Sequence, residues 1–268
     1  MQSGPDYDLL CIGSGPAGRR AAVQAAKLGH RVAVVERRRI MGGVCVETGT
    51  IPSKTFREAV LALYPRGAFH SNSTPRSRPT ASDLFARVQA VVMRESSVII
   101  DQLARNGIDV ISGSARFVDA HTIAVHDGDQ DRHIRADNIL IAVGTRPTPA
   151  PGIPEDDDIV LTSDTIYRIP NLPRCLAVIG GGVIGIEYAS MFAELGIDVT
   201  VIDRRPRLLE FLDNEIVDEL VHQLRRRNVV FRLDEGVDEI RVDRSGAAPK
   251  AVMQLASGKR IVADMALY

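Results

Sequence analysis

Six glycines are spaced for work on phosphate. Gly13, Gly15 and Gly18 form one Gly-x-Gly-x-x-Gly string, and Gly180, Gly182 and Gly185 form another 167 residues later. Each string follows a short apolar run, 9–12 or 176–179, and opens an Ala-containing stretch that ends at Leu28-Gly29 or Leu195-Gly196. An acidic residue stands 23 positions after the first glycine of each string: Glu36 in one copy, Asp203 in the other. That combination is the dinucleotide-binding pattern. The first glycine makes the tight turn, the second lets the backbone approach a pyrophosphate, and the third lets helix and strand pack closely. The helix N-terminus then turns its unpaired N–H groups and positive dipole end toward the anion, and the carboxylate can accept a hydrogen bond from a ribose hydroxyl. The first cradle comprises Gly13, Ser14, Gly15, Pro16, Ala17 and Gly18, with Glu36 and Arg37 across from it. The second comprises Gly180, Gly182, Val183 and Ile184, with Asp203 and Arg204.

Behind these residues each copy predicts one βαβ unit, with second strands at 31–35 and 198–202, so the fold class is α/β with two Rossmann-like three-layer domains. Two copies imply two dinucleotides. The boundary falls where prolines and an acidic run break every periodicity, near 149–154, which divides the chain into 1–150 and 151–268. Residues 66–79, rich in Ser, Pro and Arg, predict an exposed loop. Leu84, Phe85, Val88, Val91, Val92, Val98, Ile99 and Leu103 mark the core-facing stripe of a long helix closed by Asn106-Gly107. Alternation at 122–125 and 133–135, joined by Asp127-Gly128-Asp129, predicts a small antiparallel insertion.

Composition narrows the function. The 268 residues carry 33 basic and 34 acidic side chains, a net charge of -1, with 4% aromatics and no Trp. Neither a polyanionic partner nor a base-stacking platform is indicated, so no nucleic acid is expected. The longest uncharged apolar stretch is far short of the roughly eighteen residues that span a bilayer. The acidic N-terminus has no basic flank or apolar core of an export signal, and the expectation is a soluble cytoplasmic protein. Cys11, Cys45 and Cys175 are too few and scattered for a disulfide framework or a metal site, and none is expected. Cys11 falls in a buried strand and Cys175 is read as structural.

Between the copies runs Gly42-Gly43-Val44-Cys45-Val46-Glu47-Thr48-Gly49-Thr50-Ile51-Pro52-Ser53-Lys54. This segment resembles the pyridine nucleotide-disulfide reductase superfamily of flavoproteins, whose first βαβ unit binds FAD and whose second binds NAD(P). The dithiol members carry a second cysteine five residues after the first. Here that position is Thr50, so no redox disulfide can form across it. The Gly-Thr-Ile-Pro-Ser-Lys string is similar to members that pass hydride between nicotinamide dinucleotides. The resemblance implies FAD as cofactor, with NAD and NADP as substrates. It places Gly42, Gly43, Val44, Cys45, Gly49, Thr50 and Lys54 at the flavin site.

Other stretches fit. Residues 137–147 resemble the family's strand and Ala-Thr-Gly turn, here Ala142-Val143-Gly144. Residues 113–117, with Ala115, resemble the strand near the FAD adenine, and 208–213 resemble the stretch after the second NAD(P)-domain strand. The resemblance puts Lys54 near flavin N5, where an ammonium stabilises negative charge during reduction, and maps Glu187 onto the acid that pairs with it. Pro52 as a helix start puts Lys54 in the first turn, an unfavourable place for a cation without another purpose. Cys45 is either a single thiol against the flavin or an inert small residue in a glycine-rich loop.

Asp203 favours NAD, and Arg204, Arg205 and Arg207 can accommodate the extra phosphate of NADP. The implied activity is FAD-dependent hydride transfer between NADPH and NAD in alternate half-reactions. The alternatives are a single-cysteine NAD(P)H:quinone reductase, a dihydrolipoamide-dehydrogenase-like reductase, or a non-catalytic nucleotide-binding fragment. The family continues past Tyr268 into a second FAD segment and a dimerisation domain, and a homo-oligomer is implied where that domain is present.

Overall fold

A computed structural model describes residues 4–63, 80–128, 130–148, 152–154, 156 and 158–268. The expected loop at 66–79, Asp129 of the hairpin turn and part of the proline boundary lie outside the described residues. Contacts group Met1–Ser53 with Val88–Arg146 as one unit, and Lys54–Arg87 with Pro147–Tyr268 as another.

The first unit holds β1 (Tyr7–Ile12), α1 (Pro16–Lys27), β2 (Val32–Glu36), α2 (Gly43–Glu47) and the opening residues of α3 (Thr50–Leu63). It continues with most of α4 (Ala81–Arg105), then β3 (Asp109–Ser112), β4 (Ser114–Phe117), β5 (Thr122–His126) and β6 (Asp131–Ile141). Its sheet runs β3-β2-β1-β6-β5-β4. β2, Val-Ala-Val-Val-Glu, is buried at every position, as a parallel strand covered on both faces must be. The β-insertion and the strand leading to Ala142 are one element. β6 pairs antiparallel with β5 over residues 131–135 and parallel with β1 over residues 136–141. Leu10, Ala33, Val35, Ile123, Val125 and Ile134 form the core there, and Cys11 is fully buried in β1.

The second unit holds the rest of α3, the start of α4, β7 (Val160–Leu161), a 3-10 turn at Ile166–Arg168, β8 (Cys175–Ile179), α5 (Val183–Glu194) and β9 (Asp198–Asp203). After these come α6 (Asn214–Arg225), β10 (Val230–Leu233), β11 (Val237–Asp243), β12 (Lys250–Leu255), β13 (Arg260–Ala263) and β14 (Met265–Leu267). A parallel sheet in the order β10-β9-β8-β14-β7 is joined by an antiparallel sheet β11-β12-β13. Cys175 packs partly buried against this unit's core. Both units have Rossmann-type α/β organisation.

Local chemistry explains the helix ends. Pro16 stands at the start of α1, where its missing N–H costs nothing. Thr80 and Asp83 cap α4 reciprocally: Thr80 Oγ1 accepts the Asp83 N–H at 3.1 Å, and Asp83 accepts the Thr80 N–H at 3.0 Å. Asp213 caps α6 by accepting the Glu215 N–H at 2.9 Å. Two expectations are corrected. α3 begins at Thr50 rather than at Pro52, which moves Lys54 out of the first turn. Val98, read as part of the buried stripe of α4, is 52% exposed, because it faces away from the neighbours that bury Ile99 and Leu103.

Candidate functional site

The two glycine strings fold alike. Gly13 and Gly180 adopt φ of 107° and 102°, in the left-handed region open to glycine, and each donates its N–H to the second strand, to Val35 O and Ile202 O at 2.8 Å. A Cβ on Gly18 would stand 2.0 Å from Gly13 O, and one on Gly185 would stand 2.0 Å from Gly180 O. These are the close helix–strand contacts that demand the third glycine. A Cβ on Gly15 or Gly182 would meet nothing within 4 Å. The space above the second glycine of each string is therefore open, at the start of α1 or α5, and a pyrophosphate fits there.

Around the first cradle the structure brings together Ser14, Glu36, Gly42 and Gly43. The fully buried Ser14 hydroxyl donates to Glu36 Oε2 at 2.6 Å and accepts the Gly42 N–H at 2.9 Å. Glu36 also accepts the backbone N–H groups of Ser14 at 2.9 Å and Arg38 at 3.0 Å. Burial opposes ionisation of Glu36, yet these bonds outweigh it and hold its pKa below the usual carboxylate range. Gly43, at φ 64°, lies so near the cradle that a Cβ there would stand 2.9 Å from Gly15 Cα. On the other side a Cβ on Gly13 would stand 2.3 Å from Ala142 O, and Ala142 N donates to Ile12 O at 2.9 Å. Val143 and Gly144 follow, with Val143 65% exposed.

Gly49 and Thr48 donate to Val44 O, closing the loop that carries Cys45, a free and partly exposed thiol. Thr48 Oγ1 is buried with no partner among the described residues. Ala115 lies on β4, the strand expected at 113–117, and packs against the core of Leu10 and Val35. Arg38 pairs with Glu47, joining the end of β2 to α2. Sequence reasoning passed over that pair, because two charges nine residues apart in a loop leave no periodic signal.

The second cradle replaces the serine with Gly181. Asp203 Oδ2 accepts the Gly181 N–H at 2.5 Å and Arg205 Nη2–H at 2.7 Å, while Oδ1 accepts Arg205 N–H at 2.8 Å and Nε–H at 3.0 Å. Burial opposes the charge on Asp203, but the Arg205 side chain and the two backbone amides prevail and bring its pKa to about 2. Asp203, Arg204, Gly180 and Arg205 line a cavity of about 500 Å³. Val183 and Ile184, at the start of α5, are 50% and 58% exposed.

In the same unit Lys54 of α3 forms an ion pair with Glu187 of α5. The same unit gathers Phe56, Phe85, Tyr167, Tyr188 and Phe192 in tilted and edge-on ring contacts, with centroids 5.5–6.1 Å apart. The Tyr167 and Tyr188 hydroxyls meet at 2.5 Å. Burial raises both phenols, Tyr188 to about 12. No group of His, Cys, Asp and Glu suited to a metal occurs among the described residues, and no helix there is long and apolar enough to cross a membrane.

A twofold dinucleotide cradle joined by a Gly-Gly-x-Cys loop meets its counterpart in known proteins. The pyridine nucleotide-disulphide oxidoreductase family profile matches residues 7–268. The chain belongs to that family. Membership brings FAD as cofactor. A soluble pyridine nucleotide transhydrogenase of Mycobacterium bovis (strain BCG / Pasteur 1173P2) is 47% identical over 268 residues, 98% of this chain and 56% of the relative. One from Erwinia tasmaniensis is 37% identical over 272 residues, 100% of this chain and 57% of the relative. Among solved structures, the HOCl-induced flavoprotein disulfide reductase RclA of Escherichia coli superposes with a TM-score of 0.83 at 29% identity, covering 97% of this chain and 55% of that one. LpdA of Mycobacterium tuberculosis superposes at 0.84 with 28% identity, over 97% and 57%. The chain spans about half the length of the curated relatives it matches.

Proposed function

We propose that the full-length protein is a transhydrogenase, moving hydride between NADPH and NAD through FAD at one nicotinamide site used by each in turn. The observation that carries this reading is Thr50, five residues after the free thiol of Cys45. A reductase that sends electrons on through a disulfide needs a second thiol within bonding reach of the first, and this loop has none. The relatives named as transhydrogenases support the same reading.

FAD, when bound at the first cradle, supplies the ring chemistry of hydride uptake and release. The chain supplies position and field. In this reading residues 1–150 belong to the FAD-binding domain and 151–268 to the NAD(P)-binding domain. Gly13 to Gly18 and the Gly42–Gly43 turn hold the first dinucleotide, with Glu36 toward its ribose. Gly180, Gly182, Val183 and Ile184 receive the second. Lys54 contributes a fixed positive charge that Glu187 holds in place, and Cys45 contributes a small apolar surface rather than a redox relay.

Steady-state rates with NADPH as donor and thio-NAD as acceptor test the proposal on the purified full-length protein. Parallel double-reciprocal lines are expected, as for two substrates that alternate at one site. Turnover confined to a quinone or to dihydrolipoamide would overturn it. Lys54→Met should lower the rate by an order of magnitude or more, the scale on which a preorganised charge acts. Because the Lys54–Glu187 pair is about half exposed, the same change should cost less than about 1 kcal/mol of stability in a thermal melt.

A further inference from the structure

The carboxylate that the dinucleotide pattern offers to a ribose is already full in the second cradle. A carboxylate has about four lone-pair sites. All four on Asp203 are taken, one by Gly181 and three by Arg205. The first cradle differs in the kind of donor. Glu36 is held by backbone amides and by the buried Ser14 hydroxyl, none of which can withdraw without unfolding the turn. Two of the four bonds to Asp203 come from a guanidinium on a side chain 44% exposed, which can swing away into solvent. The cavity beside it also carries the acids Glu235, Asp238 and Glu239, with Arg204 and Arg205 as its cations. A 2′-phosphate entering there meets four carboxylates counting Asp203, so an engaged cation is required to admit it.

We propose that Arg205 is a selectivity gate that lets one cradle accept both NADP and NAD. In the closed position seen here, Arg205 cancels the charge of Asp203 and keeps N–H groups free for a 2′-phosphate. In the open position it releases two lone pairs of Asp203, which then accept the hydroxyls of a ribose that lacks the phosphate. Arg204 is not equivalent. Its side chain lies over Gly236, with Nε 3.2 Å from where a Cβ would stand. The gate rests on the reading of the second cradle as the nicotinamide dinucleotide site.

Calorimetric titration of NAD+ and NADP+ into the FAD-loaded full-length protein tests it, with Arg205→Leu, Arg205→Lys and Arg204→Leu alongside. Arg205→Leu is expected to raise the Kd for NADP+ by about tenfold or more, as for a lost charge-assisted pair, while the Kd for NAD+ stays equal or falls. Arg205→Lys keeps the charge without the fork and should recover part of the NADP+ affinity. Arg204→Leu should change the ratio of the two constants by less than about fivefold, the scale of an exposed charge. Equal weakening of both dinucleotides by Arg205→Leu, or an unchanged ratio in both Arg205 variants, would overturn the gate while leaving the nicotinamide site standing. Wild-type protein that binds neither dinucleotide would remove the site and the gate together.

Discussion

Two carboxylates at the ends of β2 and β9 do the same structural job with different helpers. Each pins the first amide after the tight turn, through Ser14 N–H or Gly181 N–H. Removing the helper should therefore be costly in one copy for a reason absent from the other. Ser14→Ala leaves the Gly42 N–H without its acceptor and takes a donor from buried Glu36, a loss of about 1 to 3 kcal/mol. Urea denaturation checks the stability, and fluorescence of released flavin checks that FAD binding weakens with it.

Asp203 sets a pH dependence of known sign. Its folded pKa of about 2 lies below the usual Asp value near 3.9, so its contribution is complete above the unfolded value and is lost as pH falls through the folded one. The advantage of wild type over Asp203→Asn should shrink by about 2 kcal/mol between pH 5 and pH 2, measured by denaturant unfolding at each pH. The glycine and acid positions were legible in the sequence because spacing alone defines them. The saturation of Asp203 was not. Three arginines follow it within four residues, and only geometry tells which one turns back.

At the scale of elements, glycines identical in the motif have opposite physical meanings. Gly18→Ala and Gly185→Ala drive a methyl into a backbone carbonyl at 2.0 Å, where nothing flexible can yield, and each should unfold its unit or lower its melting temperature steeply. Gly15→Ala and Gly182→Ala fill only open space at unstrained φ of −61° and −74°. These should cost about 1 kcal/mol as helix caps yet abolish dinucleotide binding, which calorimetry and differential scanning separate cleanly. The strands flanking each glycine string were readable from the apolar runs to within two residues. The continuity of β6 was not, since its first half alternates in sequence while its second half is the apolar run Ile-Leu-Ile, two patterns that read as separate strands. The start of α3 was placed late because Pro52 is a strong helix-start signal, although proline is tolerated anywhere in a first turn.

Over the molecule as a whole, the two cradles lie 167 residues apart in sequence, and self-similarity at that one offset was enough to recover the α/β class. The aromatic cluster of the second unit had no such signature, because its members come from four elements with no common period. It makes a testable asymmetry. Tyr188 has a second partner in Ser163 O, to which it donates at 3.4 Å, whereas among the described residues the Tyr167 hydroxyl meets only that of Tyr188. Tyr188→Phe should therefore cost more, about 1 to 3 kcal/mol, than Tyr167→Phe, and the double variant should cost less than the sum, as thermal melts of the three proteins will read.

The sheet order β10-β9-β8-β14-β7 carries a further consequence. β7 is made more than a hundred residues before Met265–Leu267, yet among the described residues it pairs with its sheet only through that segment. On a translating ribosome β8, α5 and β9 can assemble as soon as they emerge, while β7 must wait for its neighbour in the sheet. Arrested chains ending before Met265 should thus expose residues 160–161 to protease, and chains carrying Leu267 clear of the exit tunnel should protect them.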